Sequence, residues 1–231
     1  MQLNKNWAAF IIKSDKIQIL QHQNRTQALG KIMELKKGTD LYLSQHFSEM
    51  DVSYEEITGK EFEDCTFTKC NFSDATISKC KFIDCTFTNC NLSSMEVKHS
   101  RFLQVSFDNC KMMGIDWTKA SWPSVASFAA LKFKQCGISY SSFFGLSLQE
   151  MSIEECKAHE VDFRDGNFNQ ANFSYSDLSL SLFNQTCLTN VNFEEASNYD
   201  IDVINNNIKG AKFSRFEAVR LLECLEIELV D

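Results

Sequence analysis

The side chains with the most chemical reach in this chain are ten cysteines, four histidines and thirty-one carboxylates. Thiolates bind zinc when paired at short, fixed spacings, and the CxxC pair is the usual signature. No two cysteines here are so spaced. The histidines (His22, His46, His99, His159) are scattered, and the chain has no HExxH, no GxSxG and no glycine-rich phosphate loop. These absences predict a protein that is not an enzyme and uses no metal or cofactor. Cys65, Cys70, Cys80, Cys85, Cys90, Cys110 and Cys136 share a different regularity: each stands two residues before a large apolar residue. That placement predicts reduced, structural thiols behaving as small hydrophobes. Pairs twenty apart, such as Cys65 and Cys85, leave oxidative cross-linking open.

Bulk properties narrow the class. With 44% hydrophobic residues among 231, the chain can bury a core. A formal charge of −8 argues against direct binding to nucleic acid through phosphate neutralisation. The apolar run Trp7–Ile12 is too short for a signal core or a membrane span, so a cytoplasmic protein without membrane contact is expected.

What must position any functional side chain is a period of five. From Val52, steps of five meet Ile57, Phe62, Phe67, Phe72, Ile77, Phe82, Phe87, Leu92, Val97, Phe102, Phe107, Met112 and Trp117, all apolar. The frame slips by one residue near Trp122-Pro123, resumes at Phe128 and runs through Phe193, with Ala158 its only small centre. Fifteen of the twenty phenylalanines are centres. A fixed short period signals a solenoid. In extended chain, residues i and i−2 point the same way, but a step of five reverses direction. Keeping every centre inside therefore requires one corner per quintet. Columns at twenty-residue spacing look alike (Phe62, Phe82, Phe102; Phe67, Phe87, Phe107), which predicts four sides per coil. Twenty-eight centres then make seven coils, about 34 Å of stack.

The quintets "CNFSD", "CTFTN", "ANFSY" and "VNFEE" resemble the A(D/N)LXX motif of pentapeptide-repeat proteins across roughly residues 50 to 197. The resemblance implies an all-β solenoid, a right-handed quadrilateral β-helix. A small mixed α/β piece over 1–46 is expected before it, the β-helix over 47–197 with a break near 122–127, and a C-terminal cap over 198–231. In the first piece, "AFIIKSDKIQIL" reads as two strands and "NRTQALGKIMELKKG" as a helix from Asn24 to Gly38, with "DLYLS" a third strand. At the other end, Ser214 and Glu217 have capping-box spacing. Ala218, Leu221, Leu222 and Leu225 form one face of an α-helix, and Ile227 and Leu229 lie in an alternating, strand-like tail. These six residues are the expected dimerisation surface. Trp122, Pro123, Ser124 and Val125 form either a bulge between two half-stacks or a loop that touches a partner.

Charge is the remaining signal. From Glu150 to Glu195 nine acids face only Lys157 and Arg164, a net of −7. Glu154, Glu155, Glu160, Asp162, Asp165, Asp177, Glu194 and Glu195 are the candidate partner-binding residues, because a rigid rod can hold charges at fixed spacing against a basic groove. The bland reading of the same residues is a solvated acidic surface. "ITGKEFEDCTF", "GIDWTKASW" and "DIDVINNNIKGAKFSRFEAVRLLECLEIELV" are similar to stretches of the Qnr quinolone-resistance proteins. That resemblance implies a cytoplasmic homodimer that mimics duplex DNA, binds DNA gyrase or topoisomerase IV and protects it from fluoroquinolones. A dimeric rod of about 70 Å would match roughly 20 base pairs. Immunity to another gyrase poison, such as albicidin or microcin B17, and a scaffold with an unrelated partner are the alternatives.

Overall fold

The computed structural model describes Leu35, residues 38–123 and 131–225, and Ile227, Glu228 and Val230, all within one compact unit, Met33–Asp231. Over these residues the chain is a solenoid of about eight turns built from short parallel strands. Each quintet places a segment of about three residues on one face, with its central side chain buried and the flanking two turned outward, as in Glu61–Glu63 and Thr66–Thr68. The residue after that segment takes left-handed backbone, for example Asp64 at φ 53° and Lys69 at φ 55°, and this is the corner. One such residue per quintet cancels the reversal that an odd step would impose.

Strand partners are twenty residues apart, Phe62 with Phe82 and Phe67 with Phe87, so four quintets close one coil. We number the faces by their centres: face 1 carries Tyr42, Phe62, Phe82 and Phe102; face 2 carries Phe47, Phe67, Phe87 and Phe107; face 3 carries Val52, Phe72, Leu92 and Met112; face 4 carries Ile57, Ile77, Val97 and Trp117. The rings stack along each column, 4.4 Å from Phe67 to Phe87 and 5.1 Å from Phe87 to Phe107, and meet edge-on across the shaft, as Phe62 does Phe67. Offset stacking and edge contacts are the favoured aromatic geometries, so one shaft uses both.

The cysteines fill the i−2 slots, and their sulfurs bridge coils. The amide of Cys70 donates to Cys90 Sγ (3.3 Å), and Cys90 Sγ in turn donates to the carbonyl of Phe67 (3.4 Å). Ser100 does the same work below Cys80, with bonds of 3.0 Å to the Cys80 amide and the Ile77 carbonyl. A small side chain with one donor and acceptor is what the slot requires, because corners leave buried backbone groups outside the strand ladder. All ten cysteines are free thiols, eight of them buried. Hydrogen bonding with Cys110 and burial push the Cys90 thiol up to about 12. Cross-linking between Cys65 and Cys85 is not observed.

Three boundaries differ from expectation. Leu41–Leu43 is not a strand of a separate piece; it pairs with Glu61–Glu63, and Tyr42 stacks on Phe62 at 5.0 Å. The two strands and the helix expected before it, and the centre at Phe128, lie outside the described residues. At the break, partners become 26 apart, with Phe107 registered on Phe133 and their rings 5.2 Å apart. The six additional residues amount to the one-residue slip plus one whole quintet, and the slip alone was what the sequence displayed. Ser121 still bonds to Ser100 in face 1 (2.8 Å), and the next described strand, Leu131–Lys134, pairs with Val105–Asp108 on face 2. At the far end, Asn198 stands where a centre is due and takes the corner conformation (φ 58°) instead. Tyr199 and Ile201 are buried in its place, and Phe213 pairs and stacks on Phe193 at 5.0 Å. The coil thus continues past residue 197.

Candidate partner-binding surfaces

The eight candidate acids do not form one strip; the coil distributes them by their place in the quintet. Glu154 and Glu194 follow the centres Ile153 and Phe193 on face 2, and Glu155 and Glu195 occupy the corners next to them. These four share one edge, two coils or about 10 Å apart. Asp177 lies on face 3, Glu160 on the corner between faces 3 and 4, Asp162 on face 4 and Asp165 on the corner between faces 4 and 1.

Local partners temper several of them. Lys134, one coil before Glu154, stands 4.0 Å from it and 3.8 Å from Glu155, while Gln135 Nε2 donates to Glu155 at 2.7 Å. Exposed pairs of this kind contribute about 0–1 kcal/mol and remain open to exchange. Arg164 grips Asp162 through Nε and a terminal nitrogen (2.9 and 2.8 Å) and holds its carboxyl below the usual range. That pairing was legible in the sequence, since residues two apart on extended chain share a face. Burial works to raise the Asp177 carboxyl, but hydrogen bonds from Ser179, Asn198 and His159 outweigh it and hold the group well below its ordinary value. His159 Nε2 is 2.7 Å from Asp177 Oδ2. Asp165 borders a shallow cavity of about 230 Å³ lined by Phe144, Arg164, Asn184 and Gln185.

Of the expected loop contacts, Trp122 is half-buried; its indole nitrogen donates to the Trp117 carbonyl (2.9 Å) and its ring packs beside Trp117. Pro123 is exposed, and Ser124 and Val125 lie outside the described residues.

The terminal helix, Glu217–Leu225, is a 3-10 helix, and this corrects the expected face. At three residues per turn, i and i+3 eclipse. Ala218 and Leu221 therefore turn toward the coil, with Leu221 packed on the core, while Phe216, Val219, Leu222 and Leu225 form an outward stripe. Phe216 is 90% exposed. Phe216, Val219 and the exposed Val230 are residues that an α-helical reading missed, and Ile227, also exposed, is not in a strand. Leu229 lies outside the described residues. The capping box is not formed either. Ser214 Oγ donates to Glu195 Oε1 (2.9 Å) and accepts from the Glu195 amide (2.8 Å), and Glu217 holds Arg220 (2.9 Å). Ser214 thus fastens the cap to the coil beneath it, and Glu217 does so by accepting from the Asn198 amide (3.4 Å). Among the described residues no group of side chains is arranged to hold a metal ion, and no helix is long and apolar enough to cross a membrane.

A family model described as a pentapeptide repeat region matches residues 60–127 and 125–193. Two solved structures of QnrB1, described as a plasmid-mediated fluoroquinolone resistance protein, are similar in fold; both are trypsin-treated point variants of that protein. One is 20% identical with a TM-score of 0.56 and covers 86% of this chain and 96% of its own. The other is 20% identical with a TM-score of 0.58, covering 80% of this chain and all of its own. HetL, a pentapeptide repeat protein of the cyanobacterium Nostoc involved in heterocyst differentiation regulation, is 13% identical with a TM-score of 0.44, over 75% and 87% of the two chains. No curated protein sequence matches this chain.

Proposed function

This chain belongs to the pentapeptide-repeat family, and on that premise we propose that it is a non-catalytic, cytoplasmic DNA mimic that binds a type II topoisomerase, DNA gyrase or topoisomerase IV, and shields it from fluoroquinolones. The observation that carries this reading is the edge holding Glu154, Glu155, Glu194 and Glu195: two carboxylate pairs on a stiff scaffold, about 10 Å apart, close to the rise of three base pairs. A basic DNA groove recognises charge at such intervals, and a rod filled by its own side chains pays little conformational entropy to present it. Fold likeness to QnrB1 supports the direction of the proposal, whereas Glu160 and Asp165 lie on other corners of the coil and the exposed Pro123 lies at the break, apart from this edge.

The purified chain is expected to lower ciprofloxacin-stimulated DNA cleavage by gyrase or topoisomerase IV in a dose-dependent way. No effect on either enzyme, up to concentrations far above that of the enzyme, would refute the proposal. Protection against albicidin or microcin B17 alone would keep the partner and change the poison. A scaffold role with another partner is the second reading, and it is favoured by the internal pairing of Asp162 with Arg164 and Asp177 with His159, which stiffens the surface rather than offering it.

The outward stripe of the terminal helix gives the proposed dimer its contact. Phe216, Val219, Leu222 and Leu225 repeat every third residue on solvent, with Ile227 and Val230 beyond them. Leu222→Asp combined with Leu225→Asp should convert a dimer to a monomer in sedimentation velocity without loss of β circular dichroism. A wild-type chain that sediments as a monomer at high concentration rules the dimer out.

A further inference from the structure

Face 4 changes character at the break. In the first half the outward positions of the face itself are polar or charged, for example Glu56, Thr58, Thr76, Ser78, Glu96 and Lys98, and the adjoining corner carries one large apolar side chain, Tyr54, above Asp74 and Ser94. In the second half the same face and its adjoining corner carry Tyr140 (61% exposed), Phe144 (45%), Leu180 (72%) and Leu182 (47%). Solvent does not favour these residues, and at Leu180 the backbone does not either. Leu180 has φ 59° and is the sole aliphatic side chain among 26 described non-glycine residues in left-handed backbone, a conformation that Asn, Asp and Gly accept more readily. A leucine held in water on an unfavourable corner calls for a partner.

The coil orders this face into rows. Bridges from Ser142 to Asp162 and from Asp162 to Leu182, with bonds from the Tyr140 amide to the His159 carbonyl and from the Glu160 amide to the Ser179 carbonyl, set three successive levels. The first presents Tyr140 and Phe144, the second Glu160, Asp162 and Arg164 with Asp165 at the next corner, and the third Leu180 and Leu182. Arg164 lies over the Phe144 ring at 5.8 Å while holding Asp162, so the middle level remains net acidic between two apolar ones.

We propose that the second half of face 4 docks an amphipathic helix of a partner protein, oriented along the rod, that offers an apolar side chain, then a lysine or arginine, then another apolar side chain on consecutive turns. Rows about 4.8 Å apart differ by about 0.6 Å from the pitch of a helix, so residues i, i+4 and i+7 meet the three levels in turn. Charge selects the occupant. A second copy of this chain would bring the same net-acidic level against itself, whereas a basic helix neutralises it. The surface is separate from the edge that carries Glu154 and Glu194, and its test needs no topoisomerase.

The experiment titrates the full chain with fluorescein-labelled 18-residue model helices, followed by anisotropy. One peptide has Leu at i and i+7 and Lys at i+4; a second replaces the leucines by serine; a third replaces the lysines by glutamate. The first should bind, with at least tenfold loss for the serine peptide and no saturation for the glutamate peptide. Leu180→Asn with Leu182→Ser, which gives the corner a residue it tolerates, should weaken the first peptide at least tenfold. A variant combining Glu154→Lys, Glu155→Lys, Glu194→Lys and Glu195→Lys should keep binding it. Equal binding of the serine peptide, or no change in the Leu180→Asn, Leu182→Ser variant, would overturn the proposal. So would concentration-dependent self-association that this variant abolishes, because the occupant would then be a second copy.

Discussion

Phe87→Ala should lower the free energy of unfolding by about 3–5 kcal/mol, the cost of emptying a close-packed aromatic site. Phe87 is fully enclosed, its ring stacked between Phe67 (4.4 Å) and Phe107 (5.1 Å) and touched edge-on by Phe72 (5.8 Å). Two lines of force meet there. Burial of the ring removes its apolar surface from water, and each aromatic neighbour adds about 0.5–1.5 kcal/mol beyond area. The shaft cannot collapse into the cavity, because strand spacing is set by hydrogen bonds from the coils above and below, Cys85 Sγ to the Phe62 carbonyl (3.4 Å) among them. Phe87→Leu should cost less, and Tyr54→Ala, on an exposed corner, almost nothing. Urea denaturation of the three variants checks the order. A loss below about 1 kcal/mol for Phe87→Ala would mean that the stack contributes little cohesion, contrary to nearest-neighbour stability in solenoids.

The largest functional effect is expected from reversing charge on one edge. The variant Glu154→Lys, Glu155→Lys, Glu194→Lys, Glu195→Lys changes the local charge by about +8 (four steps from −1 to +1), and it should weaken topoisomerase protection about a hundredfold, within the range that electrostatic steering commands. All four residues are outside the shaft, so the β signature should survive. Glu195 also anchors Ser214 of the cap, and the matching glutamine set, which retains a carbonyl acceptor for that bond, separates loss of charge from loosening of the terminus. Protection by the wild type should itself decline as salt rises, since charges on a surface are screened within about 10 Å at 0.1 M. Full activity of the lysine variant would place the contact on another face, and face 4 beyond the break would be the next to test.

The large-scale plan was readable in residues 52–193. A bulky centre every fifth position, a small residue two before it and polar residues elsewhere admit one solution, a chain that corners after each quintet. Phe67, Phe87 and Phe107 are stacked as that solution requires. The pattern failed where its assumptions did. Tyr42 and Phe213 are centres, yet they lie beyond the stretch of unbroken repetition, so the repeat pattern alone makes the coil shorter than it is. The terminal segment has the apolar spacing of a 3.6-residue period, whereas tethering through Ser214 and Glu217 accompanies a winding of three residues per turn. That difference moved Ala218 and Leu221 inward and left Val219 and Leu222 in solvent.

The period, the interior and exterior positions and the thiol slots follow from the order of residues alone, because each depends on neighbours within one quintet. What meets across coils depends instead on how the chain closes on itself. Glu154 came to share an edge with Glu194, Asp162 was joined by the Arg164–Phe144 contact, and Tyr140, Glu160 and Leu180 became one corner. Residues twenty or forty apart become neighbours only once the length of a coil is set, and at the break that length is 26 rather than 20. Each surface depends on that closure, since one residue more or less per turn would carry every later side chain to a different face.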